Sequence, residues 1–464
     1  MFMSNKDVGV KQSVARFISF IIRKEFSFII SLILLFFIKE RKKNGSNSLG
    51  IFSSRNKRTI LALDSERYRS DLDILATSGE FRVLHIKQSI QTILMLSCYK
   101  EGVSILDIKK ADINTNSELY LEHKASIELH KSVLKYLYKI LGINIVLTVN
   151  YRYFPDYDWT LASESLGVRY IMLYRECLLN VPRIYESVVN RHSKFGIFHG
   201  TKIIVQNDIC KKSFLDSGYV DEARIVVCGA LRMDSLYSKI NSNKIFNSEY
   251  NRFVLFYFPY NMSLFGKNGK TNEIKHKYAF NIWNGRERLF IDLHEAIIEL
   301  ANKYKNIEFI IKPKKEMTQG KSWEFYLNTV SQCNIDVNKL NNYKVLPDAN
   351  VHDLILNSGV ICALQSSTVL ESAIARKRIV FPLFNKYSCS KNYADFGWSD
   401  NLDLFDVAYS KQSFIDLVEL CLSNQNIDNN TMIKRESLFK KYFYKIDEGA
   451  INRYAKEIIN AIQN

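Results

Sequence analysis

Three scarcities limit what this chain of 464 residues can be. It contains only 6 prolines and 18 glycines and no internal repeat, a composition unlike that of collagen-like, repeat or mainly disordered proteins. Its eight cysteines are scattered and form no C-x-x-C pair, which favours reduced thiols in a cytosolic compartment over a disulfide framework or a zinc site. No apolar run reaches the roughly 20 residues that cross a bilayer.

What is present indicates a globular α/β protein. Hydrophobic residues make up 47% of the chain, and its length exceeds what one core supports, so we expect two domains. Apolar strand-like segments alternate with amphipathic ones, a pattern typical of parallel sheets. The predicted strands are residues 59–64, 81–86, 144–150, 169–174, 202–206 and 224–229, and then, after a restart, 252–259, 307–312, 343–346, 359–364 and 379–383. The predicted fold is two doubly wound Rossmann-like domains that face each other across a cleft.

The N-terminal segment is predicted separately. The net charge is +16, and residues 1–50 hold nine Lys/Arg against three Asp/Glu. An amphipathic stretch from residue 10 precedes a 13-residue apolar run, residues 26–38, with basic residues on both sides. This combination favours a helix in the interface of an anionic membrane, formed by residues 10–43. Two alternatives stay open: a helix docked on the protein's own body, and a tilted single span over residues 17–38.

Polar residues at strand ends are the candidate site, because ligands of doubly wound sheets bind at the carboxyl ends of the strands. In the second half, "IKPKKE" (311–316) ends one predicted strand, and "LQSSTVLESA" (364–373) carries Ser366 and Ser367 from a strand into a helix. Lysines and hydroxyls together suit a phosphate. The alternative is that the serines are ordinary helix N-caps. In the first half, Asp64 and Glu176 stand at strand ends.

These motifs resemble GT-B glycosyltransferases of bacterial surface-polysaccharide (capsule and lipopolysaccharide) biosynthesis, a group related to CMP-sugar transferases and CDP-glycerol glycerophosphotransferases. "IKPKKE", "LQSSTVLESA" and a Gly-x-x-Arg-x-Asp turn at residues 229–234 carry the resemblance, which covers roughly residues 140–385. The first fifty residues carry none of it and are predicted, from their own pattern, to be a membrane-associating segment and linker (1–50). They are followed by a domain (51–240) that the resemblance assigns to the acceptor, a domain (241–410) that it assigns to the nucleotide-sugar, and C-terminal helices packing across both (411–464). One departure is that Lys314 and Lys315 replace the group's histidine and proline.

The resemblance implies residue roles as well. Nucleotide and phosphate binding are expected from Lys312, Lys314, Ser366, Ser367, Thr368, Glu371 and Arg232, with Glu371 facing the ribose. A proton acceptor is needed for inverting transfer, and the candidates are Glu176 first, then Asp158 and Asp64. Glu176 has an alternative as the ion-pair partner of Arg175 or Arg183, and His199 is expected to be a loop histidine without a catalytic role. We expect no metal and no cofactor.

The expected function is a metal-independent transfer of a sugar from a CMP-, UDP- or CDP-linked donor to a lipid-linked acceptor, on the cytoplasmic face of the inner membrane. The alternatives are a glycerophosphotransferase acting on CDP-glycerol, a sugar-nucleotide 2-epimerase, and a non-catalytic partner subunit with a degenerate pocket. Nucleic-acid binding is not expected, because the basic excess accompanies an apolar run and no recognition motif.

Overall fold

A computed structural model of the chain describes residues 27–42, 47–50, 57–68, 70–99, 102–104, 106–108, 117–152, 154–242, 251–256, 273–364, 366–384 and 396–463. The chain divides into two compact units. The first consists of Met1–Cys177, Glu186–Ser235 and Phe443–Asn464, and the second of Leu178–Tyr185 and Leu236–Tyr442.

The first unit is built on an eight-stranded sheet in the order β2-β1-β4-β3-β5-β6-β7-β8. Its strands are β1 (Lys39–Arg41), β2 (Asn47–Leu49), β3 (Arg58–Ala62), β4 (Phe81–His85), β5 (Ile143–Thr148), β6 (Arg169–Leu173), β7 (Lys202–Val205) and β8 (Ile225–Val227). Strands β3 to β8 pair in parallel, whereas β1 pairs antiparallel with β2 and β4. The parallel strands are continuous apolar runs because helices cover both faces of such a sheet.

The helices of the first unit are α1 (Ser27–Leu35), α2 (Asp71–Thr77), α3 (Gln88–Leu96), α4 (Glu118–Leu141), α5 (Phe154–Ser165), α6 (Pro182–Ser193, shared with the second unit) and α7 (Asp208–Asp216). Helix α4 shows how the sequence sets its ends. The Ser117 side chain accepts from the Tyr120 backbone N–H, and Gly142 stops the helix in the left-handed conformation with φ 66°.

Residues 27–42 pack within this unit, which agrees with the alternative of a docked helix and not with a linker between these residues and the fold. Helix α1 packs against α4, and the Ser31 hydroxyl donates to the backbone oxygen of Val133 at 2.8 Å. Ile30, Leu34 and Leu35 are buried, and β1 extends the sheet beside β4. The physical reason is that an apolar run can bury one face on its own protein. Residues 10–26 lie outside the described part of the chain.

The second unit is built on a six-stranded parallel sheet in the order β11-β10-β9-β12-β13-β14. Its strands are β9 (Arg252–Phe256), β10 (Glu308–Lys312), β11 (Tyr343–Val345), β12 (Val360–Cys362), β13 (Arg378–Pro382) and β14 (Asp406–Ala408). Its helices are α8 (Met233–Asn241, shared with the first unit), α9 (Glu273–Lys303), α10 (Gly320–Ser331), α11 (Val351–Leu356), α12 (Thr368–Ile374), α13 (Lys411–Ser423) and α14 (Asn429–Phe443). Its core gathers Phe253, Leu293, Phe309 and Phe414.

The prediction of an α/β protein with two Rossmann-like units is confirmed by these sheets. In each unit the first parallel strand has its successor on one side and a later strand on the other. The chain therefore changes direction between β3 and β5 and again between β9 and β12. Such a switch point leaves a crevice beyond the carboxyl ends of the two strands.

The C-terminal helices divide differently from the predicted domain 411–464. Helices α13 and α14 belong to the second unit, apart from Phe443, while the last helix, α15 (Ala450–Gln463), belongs to the first. There Tyr454, Ile458 and Ala461 join the core of the first sheet. Within the described ranges, no helix is both long enough and apolar enough to span a membrane.

Candidate functional site

The hydroxyl cluster of the second unit lies at its switch point. Strand β12 ends at Cys362, and Ser366 and Ser367 follow it directly before α12. The neighbouring β9 ends at Phe256, and β10 beside it ends at Lys312. The sequence-predicted serines and lysine are therefore brought to one edge of one sheet, as parallel strands require.

The serines are not simple helix caps. Ser367 occupies the N-cap position of α12, but its side chain makes no capping hydrogen bond. Its hydroxyl instead donates to Glu371 Oε1 at 3.1 Å. Ser366 Oγ accepts from the Thr368 hydroxyl at 2.9 Å and, at 3.3 Å, from the Thr368 backbone N–H. All three hydroxyl residues are partly exposed. Ser366 is the one that supports the start of the helix, through a long bond.

Glu371 is held inside the unit. It is 3% exposed, and besides accepting from Ser367 its carboxylate lies 3.5 Å from His352 Nε2. The resemblance implied that Glu371 faces a ribose, but in this arrangement its oxygens are directed to Ser367 and His352. Glu371 thus fixes the orientation of the Ser367 hydroxyl, and sequence reasoning missed His352 as its second neighbour.

The lysines of "IKPKKE" have separate surroundings. Lys312 Nζ donates to the backbone oxygens of Pro347 at 2.6 Å and Pro313 at 3.2 Å. Lys314 is partly exposed and precedes a short 3₁₀ turn, and Lys315 pairs with Asp348 at 3.0 Å. Lys312 is therefore a cation already held in place at the end of β10. This strand pairs with β9, which in turn pairs with β12, the strand that precedes the serines.

A cavity not anticipated from the sequence opens at the carboxyl ends of β9, β10 and β11. Its volume is about 400 Å³, counting space open to solvent. The stacked rings of Trp323 and Tyr326, 4.7 Å apart, form part of its wall. The other lining residues are Leu255, Phe290, His294, Ile311, Pro313, Met317, Ser322 and Val345. A pocket with aromatic walls and few polar groups suits a flat, partly apolar ligand group.

A pair of buried carboxyl groups marks the switch point of the first unit. Asp64 stands just beyond β3 in the left-handed conformation, with φ 54°. Its backbone N–H donates to Gln91 Oε1 at 2.9 Å, and Gln91 Nε2 donates to Asp156 Oδ1 at 3.0 Å. Thr148, the last residue of β5, donates its hydroxyl proton to Asp156 Oδ2. Gln91 therefore joins a strand end to the start of α5.

Both carboxyl groups hold their protons unusually tightly. Burial raises the pKa of Asp64 to about 6, although the Arg67 guanidinium 3.8 Å away lowers it. Burial also raises the pKa of Asp156 to about 7, with a further contribution from the charge of Asp64, against the lowering effect of the Thr148 hydrogen bond. Neither side-chain oxygen of Asp64 accepts a hydrogen bond from the described residues. Carboxyl groups of this kind are suited to accept or donate a proton near neutral pH.

Asp156 also lines a cavity of about 340 Å³, counting space open to solvent. His199 stands at its exposed side, with Nε2 3.4 Å from the Tyr157 hydroxyl. The remaining lining residues are Thr148, Asn150, Tyr151, Thr160, Tyr170, Met172, Ile197, Phe198 and Tyr219. Aromatic rings, hydroxyls and an amide form a wall of mixed polarity around one carboxyl group.

Asp158 does not fit the role of proton acceptor predicted for it. Its side chain is 0% exposed, and Oδ2 accepts from the Tyr99 hydroxyl at 2.6 Å and from the Ser126 hydroxyl. His123 Nδ1 lies 3.1 Å from Oδ1. Both oxygens of this carboxylate are directed to side chains of the protein between α4 and α5. Asp158 is a packing residue whose hydrogen bonds fix α5 against α4.

Glu176 and Arg232, both predicted site residues, also lie in the first unit. Glu176 follows β6 and is exposed, and no described residue makes a hydrogen bond or ion pair with its carboxylate. Arg175, its proposed partner, pairs with Asp71 at 2.7 Å instead. Arg232 Nη1 lies 3.4 Å from Gln206 Oε1, and its guanidinium lies over the Phe443 ring at 5.1 Å.

Sequence reasoning missed Asp156, Gln91 and Thr148. The signal was present in "FPDYDW", where two aspartates are separated by one residue. On a helix such residues point about 200° apart, so only one of them can face the strand ends. In the described ranges, no group of three or more His, Cys, Asp or Glu side chains is arranged to hold a metal ion.

No protein-family model matches the sequence, and no curated protein matches it either. Solved structures that align with the chain include UDP-GlcNAc 2-epimerase from Neisseria meningitidis bound to UDP-GlcNAc, at 14% identity and TM-score 0.44, covering 87% of this chain and 100% of that one. The same enzyme from Methanocaldococcus jannaschii, in complex with UDP-GlcNAc and UDP, aligns at 14% identity and TM-score 0.43, covering 87% and 99%. A trehalose-phosphate synthase from Burkholderia vietnamiensis aligns at 9% identity and TM-score 0.43, covering 88% and 100%. Because all three TM-scores lie below 0.5, no substrate or activity is carried over from them to this chain.

Proposed function

We propose that the chain is a glycosyltransferase that moves a sugar from a nucleotide-sugar donor to a lipid-linked acceptor of surface-polysaccharide synthesis, without a metal. The observation that carries the proposal is the hydroxyl cluster of Ser366, Ser367 and Thr368 at the switch point of the second sheet, with Lys312 on the adjacent strand pair. A doubly wound sheet binds its ligand at this crevice.

The reaction requires what this cluster offers. Glycosyl transfer breaks the bond between the sugar C1 and the phosphate oxygen, so negative charge develops on the leaving nucleotide. Hydroxyl and ammonium donors that are already in position stabilise that charge. Ser366 has its own hydroxyl proton to donate, because its Oγ accepts from Thr368 in this structure, whereas the Ser367 hydroxyl donates to Glu371 Oε1 at 3.1 Å and must turn from it to bind phosphate. The aromatic cavity beside Pro313 is the place we assign to the nucleobase.

The first unit is proposed to bind the acceptor and take its proton. The acceptor hydroxyl attacks C1 and must lose a proton to a base. Asp64 and Asp156 lie at the switch point of the first sheet, and Gln91 connects them. Their raised pKa values, about 6 and about 7, make them effective bases just above neutral pH. Glu176 is the remaining candidate, because its carboxylate is exposed at the next strand end.

The first test is thermal melting of the purified protein with CMP, UDP, GDP and CDP. A ligand that binds only the folded state raises the melting temperature, so the responding nucleotide identifies the donor class. The sugar-linked form of that nucleotide is then supplied. Transfer or hydrolysis releases free nucleotide, whereas 2-epimerisation must break the C2–H bond and would introduce solvent deuterium at C2. CDP-glycerol turnover would indicate the glycerophosphotransferase. If no nucleotide changes the melting temperature, the non-catalytic partner subunit becomes the better explanation.

The second test separates phosphate binding from helix capping. Replacing both Ser366 and Ser367 by alanine should abolish the nucleotide-induced rise in melting temperature and lower transfer by ~10²-fold or more. If the serines only support the helix, the same change should cost about 1 kcal/mol of stability and leave nucleotide affinity intact. Lys312→Ala is the matched control, because it removes a donor from the same sheet edge without altering the start of α12. A double variant that melts lower but binds nucleotide normally would refute the phosphate assignment.

A further inference from the structure

Helix α1 has an exposed apolar face. Six of the thirteen large hydrophobic side chains exposed in the described residues lie within residues 28–37. We call these six side chains the α1 face, and their exposure ranges from 37% to 65%: Phe28, Ile29, Leu32, Ile33, Phe36 and Phe37. An apolar patch of this density on a folded surface marks an interaction site.

The orientation of this helix is fixed by its other side. Ile30, Ser31, Leu34 and Leu35 alternate with the α1 face and are buried, and Ser31 is hydrogen-bonded to Val133 of α4. The α1 face is therefore turned outward by packing and is not a loose extension. Nine helical residues measure about 14 Å, which is half of a hydrocarbon core, so α1 cannot cross a bilayer in this arrangement.

Lysines accompany the apolar face. The Phe28 ring contacts the Tyr136 ring edge-on at 5.4 Å, and Tyr136 is itself 43% exposed. Lys135 and Lys139 stand beside Tyr136 on α4, and Lys39 follows the face in the chain. These three lysines are exposed and have no ion-pair partner among the described residues. The surface thus combines inserting side chains with uncompensated positive charge.

We propose that the α1 face, together with Tyr136, docks the first unit on the surface of an anionic lipid bilayer, with α1 parallel to the membrane plane. Aromatic and aliphatic side chains enter the headgroup boundary, and Lys39, Lys135 and Lys139 attract anionic headgroups. The charge argues against the other occupants. A second copy of the chain would bring its own lysines against the same face, and residues 1–26 carry five Lys/Arg against two Asp/Glu. Both occupants would therefore be repelled by the lysines beside the α1 face.

This inference rests on the first unit alone, so it can fail independently of nucleotide binding. The full-length protein is mixed with vesicles of phosphatidylcholine, or of phosphatidylcholine with phosphatidylglycerol, and the bound fraction is measured by flotation. We expect binding to the anionic vesicles that weakens with salt. The variant Ile29→Ser with Phe36→Ser should bind the anionic vesicles at least about tenfold more weakly than the parent, because two inserting side chains are lost without a change in charge.

The matched control is Leu420→Ser with Ile433→Ser, which removes two side chains of similar exposure from the second unit and should leave vesicle binding unchanged. Lys135→Gln with Lys139→Gln should weaken binding to anionic vesicles by about fivefold per lysine and leave binding to neutral vesicles unaltered. Melting curves verify the fold of each variant. The proposal is overturned if the Ile29/Phe36 variant binds like the parent, or if sedimentation shows a dimer of the parent that this variant loses.

Discussion

Replacing Asp156 by asparagine tests the buried carboxyl pair without removing its hydrogen bonds. Asparagine has the same shape, its side-chain oxygen can accept from Gln91, and its amide can donate to the Thr148 hydroxyl, which is free to rotate. Only the ability to ionise is lost. Any difference between parent and variant that depends on pH is therefore a property of the Asp156 charge.

The magnitude follows from the pKa of Asp156. It is about 7 in the folded protein against an ordinary value of 3.8, so the folded state holds the proton more tightly than the unfolded state. The stabilisation that results is complete below the ordinary value, is lost as the pH rises, and is gone above about pH 7. At about 1.4 kcal/mol for each pH unit, the parent should lose about 2 to 3 kcal/mol between pH 5 and pH 8.5 that Asp156→Asn keeps.

The assay is urea unfolding at both pH values, followed by hydrogen exchange of the peptide that contains Phe154–Ser165. This peptide reports on the first unit alone, which avoids treating two units as one transition. Glu324→Gln, at an exposed position of the second unit, serves as the control and should follow the parent. Parallel pH profiles for the parent and Asp156→Asn would refute the reasoning, because they would mean that this carboxyl group does not titrate between pH 5 and pH 8.5.

Two further predictions concern activity and the N-terminal segment. With the responding donor, Asp64→Asn should lower the rate of transfer by ~10²-fold or more, while the nucleotide still raises the melting temperature. The activity of the parent should rise from about pH 5 to about pH 7 as Asp64 and Asp156 ionise. An unchanged rate in Asp64→Asn would exclude Asp64 as the base. Deletion of residues 1–43 should destabilise the first unit by at least about 3 kcal/mol in urea unfolding, because it removes the buried Ile30, Leu34, Leu35 and Ile38. A deletion of residues 1–26 is the control, and equal stability of the two truncated proteins would contradict the packing of α1.

The alternation of strands and helices was predictable from the sequence because buried parallel strands are apolar along their whole length. Residues 169–174 were predicted as a strand, and β6 covers Arg169–Leu173. The strands β1 and β2 were not predicted. They read Lys-Glu-Arg and Asn-Ser-Leu and are strands only because they pair at the edge of the first sheet. Edge strands tolerate such polar sequences, so no local pattern marks them.

The apolar run at residues 26–38 shows a different limit. Its pattern predicts that apolar side chains are shielded from water, but it does not indicate whether lipid or protein shields them. In the structure one side of the run packs on protein, since Ile30, Leu34 and Leu35 lie against α4, while Phe28, Ile29 and Phe36 remain exposed. The alternative of a docked helix describes the buried side of α1, and the interfacial helix stays a prediction for its exposed side. Only the position of α4, which is distant in sequence, separates them.

The two aspartates of α5 explain why the site of the first unit was only partly predictable. Asp64 was predicted as a site residue because it directly follows a strand, whereas Asp156 reaches the same end of the sheet from a helix. Whether Asp156 or Asp158 faces the strand ends depends on how α5 is rotated about its axis. Partners from three other elements settle that rotation: Tyr99, which follows α3, and Ser126 of α4 hold Asp158 inside, while Thr148 of β5 holds Asp156 at the sheet edge. The hydrogen bonds that direct Asp158 away from the strand ends therefore leave Asp156 beside the cavity in which we propose that the base lies.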